Sequence, residues 1–432
     1  MSKAIVAKVT QVMAIPGADK IHVAVVLGEN CIVSKDVGVG YVGLLFPADT
    51  QLSKQYCFEN NLNRQGTDNK NTDKTGFFDS NRRVRVQPFL KVKSTAYFVS
   101  LDSLSYLVHT CDAISREKYV ALGTSFDNIE GNPICNKYIS QATRDNINKQ
   151  NRPKMAKAVL MPYFEKHVDS AQFKHNAAMI PVGALLSFHA KVHGTSHRNS
   201  FTKVMLELPK WKQMLNKIAP VFPTEEWKHV VGTRNVVLTE KAEGFHGSEQ
   251  FRFDVMESLK PYMSKGMTIY GEIAGYANGK LIMPVHSGKA AKDKKFLKKY
   301  GESVIYKYGC KEHEYRFHVY RITQLTQEGV NVDFSQKQLE QWCDERGVKS
   351  TFEVAPQEVY EGDLEKLLAK VEALTERESV MSEDVIDSTH PSEGIIIRVD
   401  TGKMNPYFLK SKAYFFRTLE GLCEAVDTED TA

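Results

Sequence analysis

The sequence predicts an α+β protein: a small amino-terminal β-barrel, OB-like in size, followed by a larger body of antiparallel sheets carrying helices. Three observations predict it. Residues 1–109 break into short apolar or alternating runs (4–12, 22–27, 31–33, 43–46, 83–86 and 96–101) separated by Gly, Pro, Asn and Asp clusters. Residues 110–157 turn polar and rich in Asn, Lys and Arg, and Asn151-Arg152-Pro153 reads as the end of a loose connector. From residue 158 strand-like and helix-like stretches mix without the βαβ rhythm of a parallel sheet. The expected organisation is a barrel over 1–109, a connector over 110–157, a body over 158–417 and an acidic tail over 418–432.

Within the barrel, Gly38-Val39-Gly40-Tyr41-Val42-Gly43 spells the dinucleotide fingerprint GxGxxG. That fingerprint needs a following helix, and Leu44-Leu45-Phe46-Pro47 forbids one, so the glycines mark a turn between strands. Residues 61–73 are polar and read as a long mobile loop. Arg82-Arg83-Val84-Arg85 would place alternate arginines on one strand face, either as a phosphate-contacting edge or as a solvated one.

In the body, 209–218, 249–263, 337–346 and 363–374 have helical spacing. Leu364, Leu367, Leu368, Val371 and Leu374 form one packing stripe. Residues 184–191, 268–273, 393–399 and 407–416 read as strands. Gly266 breaks the second helix before its strand.

Composition narrows the function. The 432 residues carry a formal net charge of +5, unevenly spread. Residues 1–157 hold 21 Lys and Arg against 14 Asp and Glu, leaving 36 against 38 for the rest. A basic first domain fits a polyanionic partner. No apolar run is long enough for a membrane helix, and Met1-Ser2-Lys3 opens no secretory signal. The seven cysteines show no CxxC pair, as expected of free thiols in a reducing intracellular compartment. Cys310 and His313 have C-x-x-H spacing but no second pair, which argues against zinc there. The segment 289–299 carries six lysines against one aspartate and is a candidate contact for a duplex backbone.

The organising stretch is Leu185-Leu186-Ser187-Phe188-His189-Ala190-Lys191-Val192-His193-Gly194, an apolar strand delivering one lysine to its end before a turn. A lysine so held has few conformations and little water, which favours nucleophilic use. Lys-x-x-Gly alone is weak, and Lys241-Ala242-Glu243-Gly244 matches it too. After Lys191, however, come in order Arg234 in Val231-Gly232-Thr233-Arg234, Glu272 in Tyr270-Gly271-Glu272, and Phe317-His318-Val319-Tyr320-Arg321. Glu393-Gly394-Ile395-Ile396-Ile397-Arg398 and Lys410-Ser411-Lys412 complete the series. This order resembles that of the covalent nucleotidyltransferases, and within them the ATP-dependent nick-sealing RNA ligases. Taking Lys241 as nucleophile would put Arg234 before it and break the order.

The resemblance implies an enzyme that seals 3′-OH/5′-phosphate breaks through a lysyl-AMP intermediate and an adenylylated 5′ end. It implies ATP and Mg²⁺ or Mn²⁺ as cofactors. The implied partner is a nicked or bridged RNA duplex, or an RNA/DNA hybrid, with a monomeric protein acting away from membranes. Lys191 is then the nucleophile, its pKa depressed by positive neighbours, and Lys410 and Lys412 bind the α-phosphate. Glu272 would hold the ribose, and Glu393 with Glu272 the metal. Arg234 would contact phosphate or the sugar at the nick, and Arg198 matches an arginine following the first motif. His193 and Gly194 would lie at the nucleotide. Strict alternation puts Phe317 and Tyr320 on opposite faces, so one of them stacks on adenine, and Phe317 is the expectation. The alternatives are a DNA ligase, a capping-type nucleotidyltransferase, or a non-catalytic nucleic-acid-binding protein. The first two usually place the OB domain after the last motif, and here about 20 residues follow Lys412.

Overall fold

The computed structural model describes residues 3–89, 92–107, 119–138, 161–238, 243–244, 247–376, 390–403 and 405–420. They fall into two compact units, Met1–Asp145 with Ala171–Ile180, and Asn146–Ser170 with Pro181–Ala432.

The first unit is built on the strand Ala4–Ala14, long enough to serve two neighbours in succession. Residues 5–8 pair with Val42–Pro47, and after an irregularity between Val9 and Gln11 the rest pairs with Ile21–Val26. The full order is Glu29–Ser34, Ile21–Val26, Ala4–Ala14, Val42–Pro47, Ala96–Ser100. The outer strands nearly meet: Thr95 N–H donates to Asn30 O at 2.7 Å, and Asn30 N–H to Thr95 Oγ1 at 3.0 Å. The alternation in the sequence shows why this sheet curls. Ile5, Ala7, Val9, Val26, Leu45 and Phe98 pack into one core, while Ala4, Val6, Leu44 and Phe46 on the opposite face pack with Tyr56, Cys57 and Ile134 into another.

Three expectations change here. Within the 110–157 segment expected as a loose connector, Ser125–Phe126 pairs with the first strand and Cys135–Lys137 with Thr50–Leu52. The polar segment 61–73 is tied down from inside. Asn69 is buried, accepts Asn63 N–H at 2.9 Å and donates to Asn63 O and Lys74 O. The arginines at 82–85 lie on no strand: Arg83 pairs with Asp49, Arg85 with Asp79, and Arg82 donates to Leu52 O. The glycines at 38–43 do form a turn before a strand, with Gly40 at φ +88°.

The second unit holds two antiparallel sheets. One runs Tyr407–Lys412, Gly394–Asp400, Leu185–Ala190, Glu353–Val359. The other runs Glu225–Gly232, Thr195–Met205, Met267–Ala277, Tyr315–Leu325, Asn331–Asp333. Helices Gln250–Leu259 and Gln336–Asp344 cover the second sheet around Ile269, Ile273 and Ile322, the latter helix closed by a Ser335/Gln338 capping box. Helix Leu364–Glu376 buries Leu367 and Val371 of the predicted stripe. The 407–416 segment is a strand only to Lys412, with helix Tyr414–Leu419 after it. Among the described residues no helix is long and apolar enough to cross a membrane, and five of the cysteines are buried free thiols.

Candidate active site

Lys191-Val192-His193-Gly194 is the joint between the two sheets: the strand before it belongs to one and the strand after it to the other. Two glycines make the joint possible. A Cβ on Gly194 would lie 2.3 Å from Ile273 O, so only glycine lets the chain cross this close to the Glu272 strand. Gly394, at φ +132°, would put a Cβ 2.1 Å from Ser411 O. Its carbonyl accepts Lys191 N–H at 3.0 Å, fixing the lysine beside Glu393.

A cleft of about 240 Å³ opens at this joint, lined by Lys191, Arg234, Glu272, Tyr320, Lys410 and Lys412 among others. Lys191 Nζ lies 2.7 Å from Glu393 Oε1, and Lys412 Nζ lies 3.8 Å from the same oxygen. The lysine side chain is 23% exposed and the glutamate's 2%, so a ligand meets the amine while the acid stays behind it. Glu272 faces Ser196 across the neighbouring strand pair and lines the cleft. Arg234 pairs with Asp169 at the open rim.

Electrostatics depart from expectation at Lys191. Burial alone would lower the Lys191 pKa, but Glu393 and Glu272 outweigh it and hold the ammonium above the ordinary lysine value. Lys410 is depressed instead: burial, then Lys412, Lys191 and Arg234, bring it to about 8, and burial, with Lys191 adding and Glu393 offsetting, also lowers Lys412. Burial pushes Glu272 up to about 7, with Lys191 offsetting and Glu393 adding. Resting Lys191 is therefore a paired cation that must lose its proton before it can attack.

Four sequence-predicted positions fall elsewhere. Phe317 turns away from the cleft, edge-on to His197 at 5.2 Å, and packs against the core of the second sheet. Tyr320 lines the cleft instead, beside Arg321. Phe317 and Tyr320 lie on opposite faces, as alternation requires, and the pairing slip from Tyr270↔Arg321 to Gly271↔Val319 sets Arg321 at the cleft as well. Arg198 is buried and spent on backbone: it donates to Thr233 O at 2.6 Å and to Glu165 O, with its guanidinium over Phe164. It positions the two segments that bring His167 and Arg234 to the cleft. The His193 ring points away from the cleft, among Tyr306, Phe416 and His286. Gly194 permits the close approach and does not line the cleft. Lys241 lies outside the described residues.

The sequence pattern does not reveal His167, Ser196, Phe408 and Arg398, which also line the cleft. Burial, then Arg234, holds His167 at about 4, so its neutral ring hydrogen-bonds the Tyr320 hydroxyl at 2.8 Å. Nothing near His167 in the sequence signals this. Arg398 could have been found: it lies two residues past Ile396 on a strand whose alternate residues Ile395, Ile397 and Val399 are core. Buried Arg398 donates to Phe334 O, and its Nε and Nη1 have no hydrogen-bond partner among the described residues. The arrangement supplies a reachable amine, surplus cations for an anion, and two carboxylates, Glu393 buried and Glu272 half-buried in the cleft wall.

No protein-family model matches the sequence, and no curated protein does either. Solved structures do match. An RNA ligase of Naegleria gruberi, a mutant with ATP and manganese, aligns over 97% of this chain and 98% of its own, at TM-score 0.50 and 13% identity. A second mutant with AMP and manganese covers the same shares at TM-score 0.50 and 14% identity. The chain has an RNA ligase fold. A third structure of that ligase, with pyrophosphate, aligns over 96% of this chain and 97% of its own, at 0.50 and 13%. The alignments reach nearly the full length of both chains and so take in residues of both units.

Proposed function

We propose that this chain is an ATP- and divalent-metal-dependent RNA ligase that seals 3′-OH/5′-phosphate breaks in a duplex or on a bridging strand. The observation that carries the reading is the grouping of Lys191, Glu272, Lys410 and Lys412 in one cleft, with Glu393 paired to the lysine from behind. In the first step the Lys191 amine attacks the α-phosphorus of ATP. A nitrogen–phosphorus bond forms, the bond to the β-phosphate oxygen breaks, and pyrophosphate leaves. Glu393, already hydrogen-bonded to Nζ, is placed to take the proton. Lys410 and Lys412 offset the charge on the phosphate oxygens as the transition state forms. The 5′-phosphate of the break then takes the AMP from Lys191, and the 3′-hydroxyl displaces AMP from that activated end.

The donor set suits a hard divalent ion: Glu272 and Glu393 supply carboxylate oxygens, and Glu393 Oε2 has no hydrogen-bond partner among the described residues. When bound, Mg²⁺ or Mn²⁺ neutralises phosphate charge and loosens the hold of the acids on the Lys191 proton. Tyr320, locked by His167, is the aromatic placed to stack on adenine. The strand order of the first unit, with its outer strands joined at Asn30 and Thr95, supports an OB-type barrel that would hold the nucleic acid. Helix Lys294–Tyr300, with lysines at 294, 295, 298 and 299, adds a basic surface in the second unit.

The test is sealing of labelled nicks, all-RNA, all-DNA and mixed, with ATP and magnesium. Sealing that requires RNA at the break is expected. ATP-dependent sealing confined to DNA would replace the reading with a DNA ligase, and no covalent AMP adduct at all would replace it with a binding protein.

A further inference from the structure

Behind Glu393, away from the nucleotide cleft, three side chains converge from three segments. His193 comes from the turn after Lys191, His286 from the strand His286–Ser287, and Glu420 from the end of helix Tyr414–Leu419. His193 Nε2 and His286 Nε2 are 3.4 Å apart. Glu420 Oε1 lies 3.5 Å from His286 Nε2 and 3.7 Å from His193 Nε2. Atoms bound at about 2.0–2.2 Å to a tetrahedral ion must lie about 3.3–3.6 Å from one another. Two of the three edges fall inside that range, and the third, His193 to Glu420 at 3.7 Å, lies just beyond it.

The His193–His286 contact, at 3.4 Å, is long for a hydrogen bond and can use only one of the two nitrogens as donor. The carboxylate distances are also too long for hydrogen bonds. A neutral His193 with its proton on Nδ1, the nitrogen facing Glu393 Oε2 at 3.7 Å, leaves the Nε2 lone pair aimed into the triangle. The rings of Tyr306 and Phe416 wall the place, at 5.0 and 4.9 Å from the His193 ring, while exposed Glu420 leaves a way in from solvent. None of the three residues lines the Lys191 cleft.

We propose that His193, His286 and Glu420 form a second metal site, separate from the nucleotide cleft, that takes one zinc-class ion with water as its fourth ligand. Two imidazoles and one carboxylate suit Zn²⁺ or Co²⁺ and disfavour Mg²⁺, which prefers oxygen donors. The ion ties the lysine turn to the helix after Lys412. This inference uses neither ATP nor RNA, so it stands or falls apart from the proposed ligase activity.

The test is titration of the full-length, chelator-stripped protein with Co²⁺, followed by visible absorption. One Co²⁺ per chain with the intense bands of tetrahedral cobalt is expected, displaced by Zn²⁺ and indifferent to excess Mg²⁺. His286→Ala and Glu420→Ala should each weaken Co²⁺ binding by about tenfold or more. Glu420→Ala alters an exposed side chain and keeps the test decisive should His286→Ala fail to fold. Absence of tetrahedral cobalt bands in the unaltered protein overturns the site, as does Glu420→Ala binding Co²⁺ like the parent.

Discussion

In the amino-terminal unit, arginines meet acids at the surface: Arg83 with Asp49, and Arg64 and Arg85 with Asp79 at 3.2 and 3.0 Å. In the second unit, Arg198, Arg252, Arg321, Glu393 and Arg398 are all 4% exposed or less. Exposed pairs are worth about 0–1 kcal/mol each and can be lost cheaply. Burying an ion costs several kcal/mol, which a fold tolerates only where partners or chemistry require the charge. Some of the buried ions have dedicated partners, Arg252 with Glu249 and Arg321 with Asp333. The Lys191–Glu393–Lys412 cluster, with Lys410 and Arg398 nearby, instead carries surplus positive charge. The difference sets exposed charge that is cheap to lose against buried surplus charge that needs a ligand or a partner to justify its cost.

The sharpest way to break that comparison is at Lys191. Lys191→Ala should reduce transfer of labelled AMP to the protein below detection. Lys191→Arg should do the same, because a guanidinium stays protonated. Labelled protein from either variant would move the reaction elsewhere.

Next come the groups around the lysine. Glu393→Ala and Lys412→Ala should each slow adenylylation by about a hundredfold, the loss expected for one charged contact in a phosphoryl-transfer site. Raising the metal concentration should partly restore Glu393→Ala and leave Lys412→Ala unchanged. An equal response of both rates to metal would mean that one of these roles is wrongly assigned.

Tyr320→Ala should raise the KM for ATP by about tenfold, a stacking contact's worth, and Phe317→Leu should leave it unchanged. The reverse pattern in steady-state kinetics would return adenine to the other face of the strand.

Smaller effects concern stability. Glu272 has its pKa raised to about 7, so folding favours its protonated form. The sign follows: its full contribution is present below the ordinary glutamate pKa and is lost as pH rises through 7. Glu272→Gln should therefore match the parent near pH 4 and exceed it by on the order of 2 kcal/mol above pH 7 in denaturant melts. A difference that does not grow with pH would refute the buried-acid account. Arg83→Ala, at an exposed pair, should change stability by less than about 1 kcal/mol; a larger loss in the same melts would erase the contrast between the units.

Much of this was legible in the sequence, and unevenly so. Most strands of the first unit, four helices of the body (those at 210–218, 250–259, 336–344 and 364–376) and the ordered motif residues Lys191, Arg234, Glu272, Lys410 and Lys412 follow from local pattern and chain order, and all five of those residues line the cleft. What failed was set by features with no local signal. Alternation put Phe317 and Tyr320 on opposite faces but carried no sign of which face meets the cleft, and packing of Phe317 into the sheet core gives it to Tyr320. Backbone carbonyls from Thr233 and Glu165 captured Arg198, and those partners lie more than 30 residues away. The sign of the Lys191 shift depended on which charges lie closest, acids or lysines, and only packing decides that. His167 came to the cleft from a segment without regular structure. The polar run at 61–73 looked mobile because its order comes from one asparagine reaching across the loop.

The most direct test of the central claim is to incubate the full-length protein with ATP and magnesium, digest it, and locate the AMP-bearing peptide by mass spectrometry. AMP on Lys191 alone is the predicted result. Three lysines compete on different grounds: Lys191 by its place at the joint of the sheets, Lys410 by its depressed pKa, and Lys241 by its matching motif. AMP on Lys410 or Lys241, with Lys191 unmodified, would contradict the account.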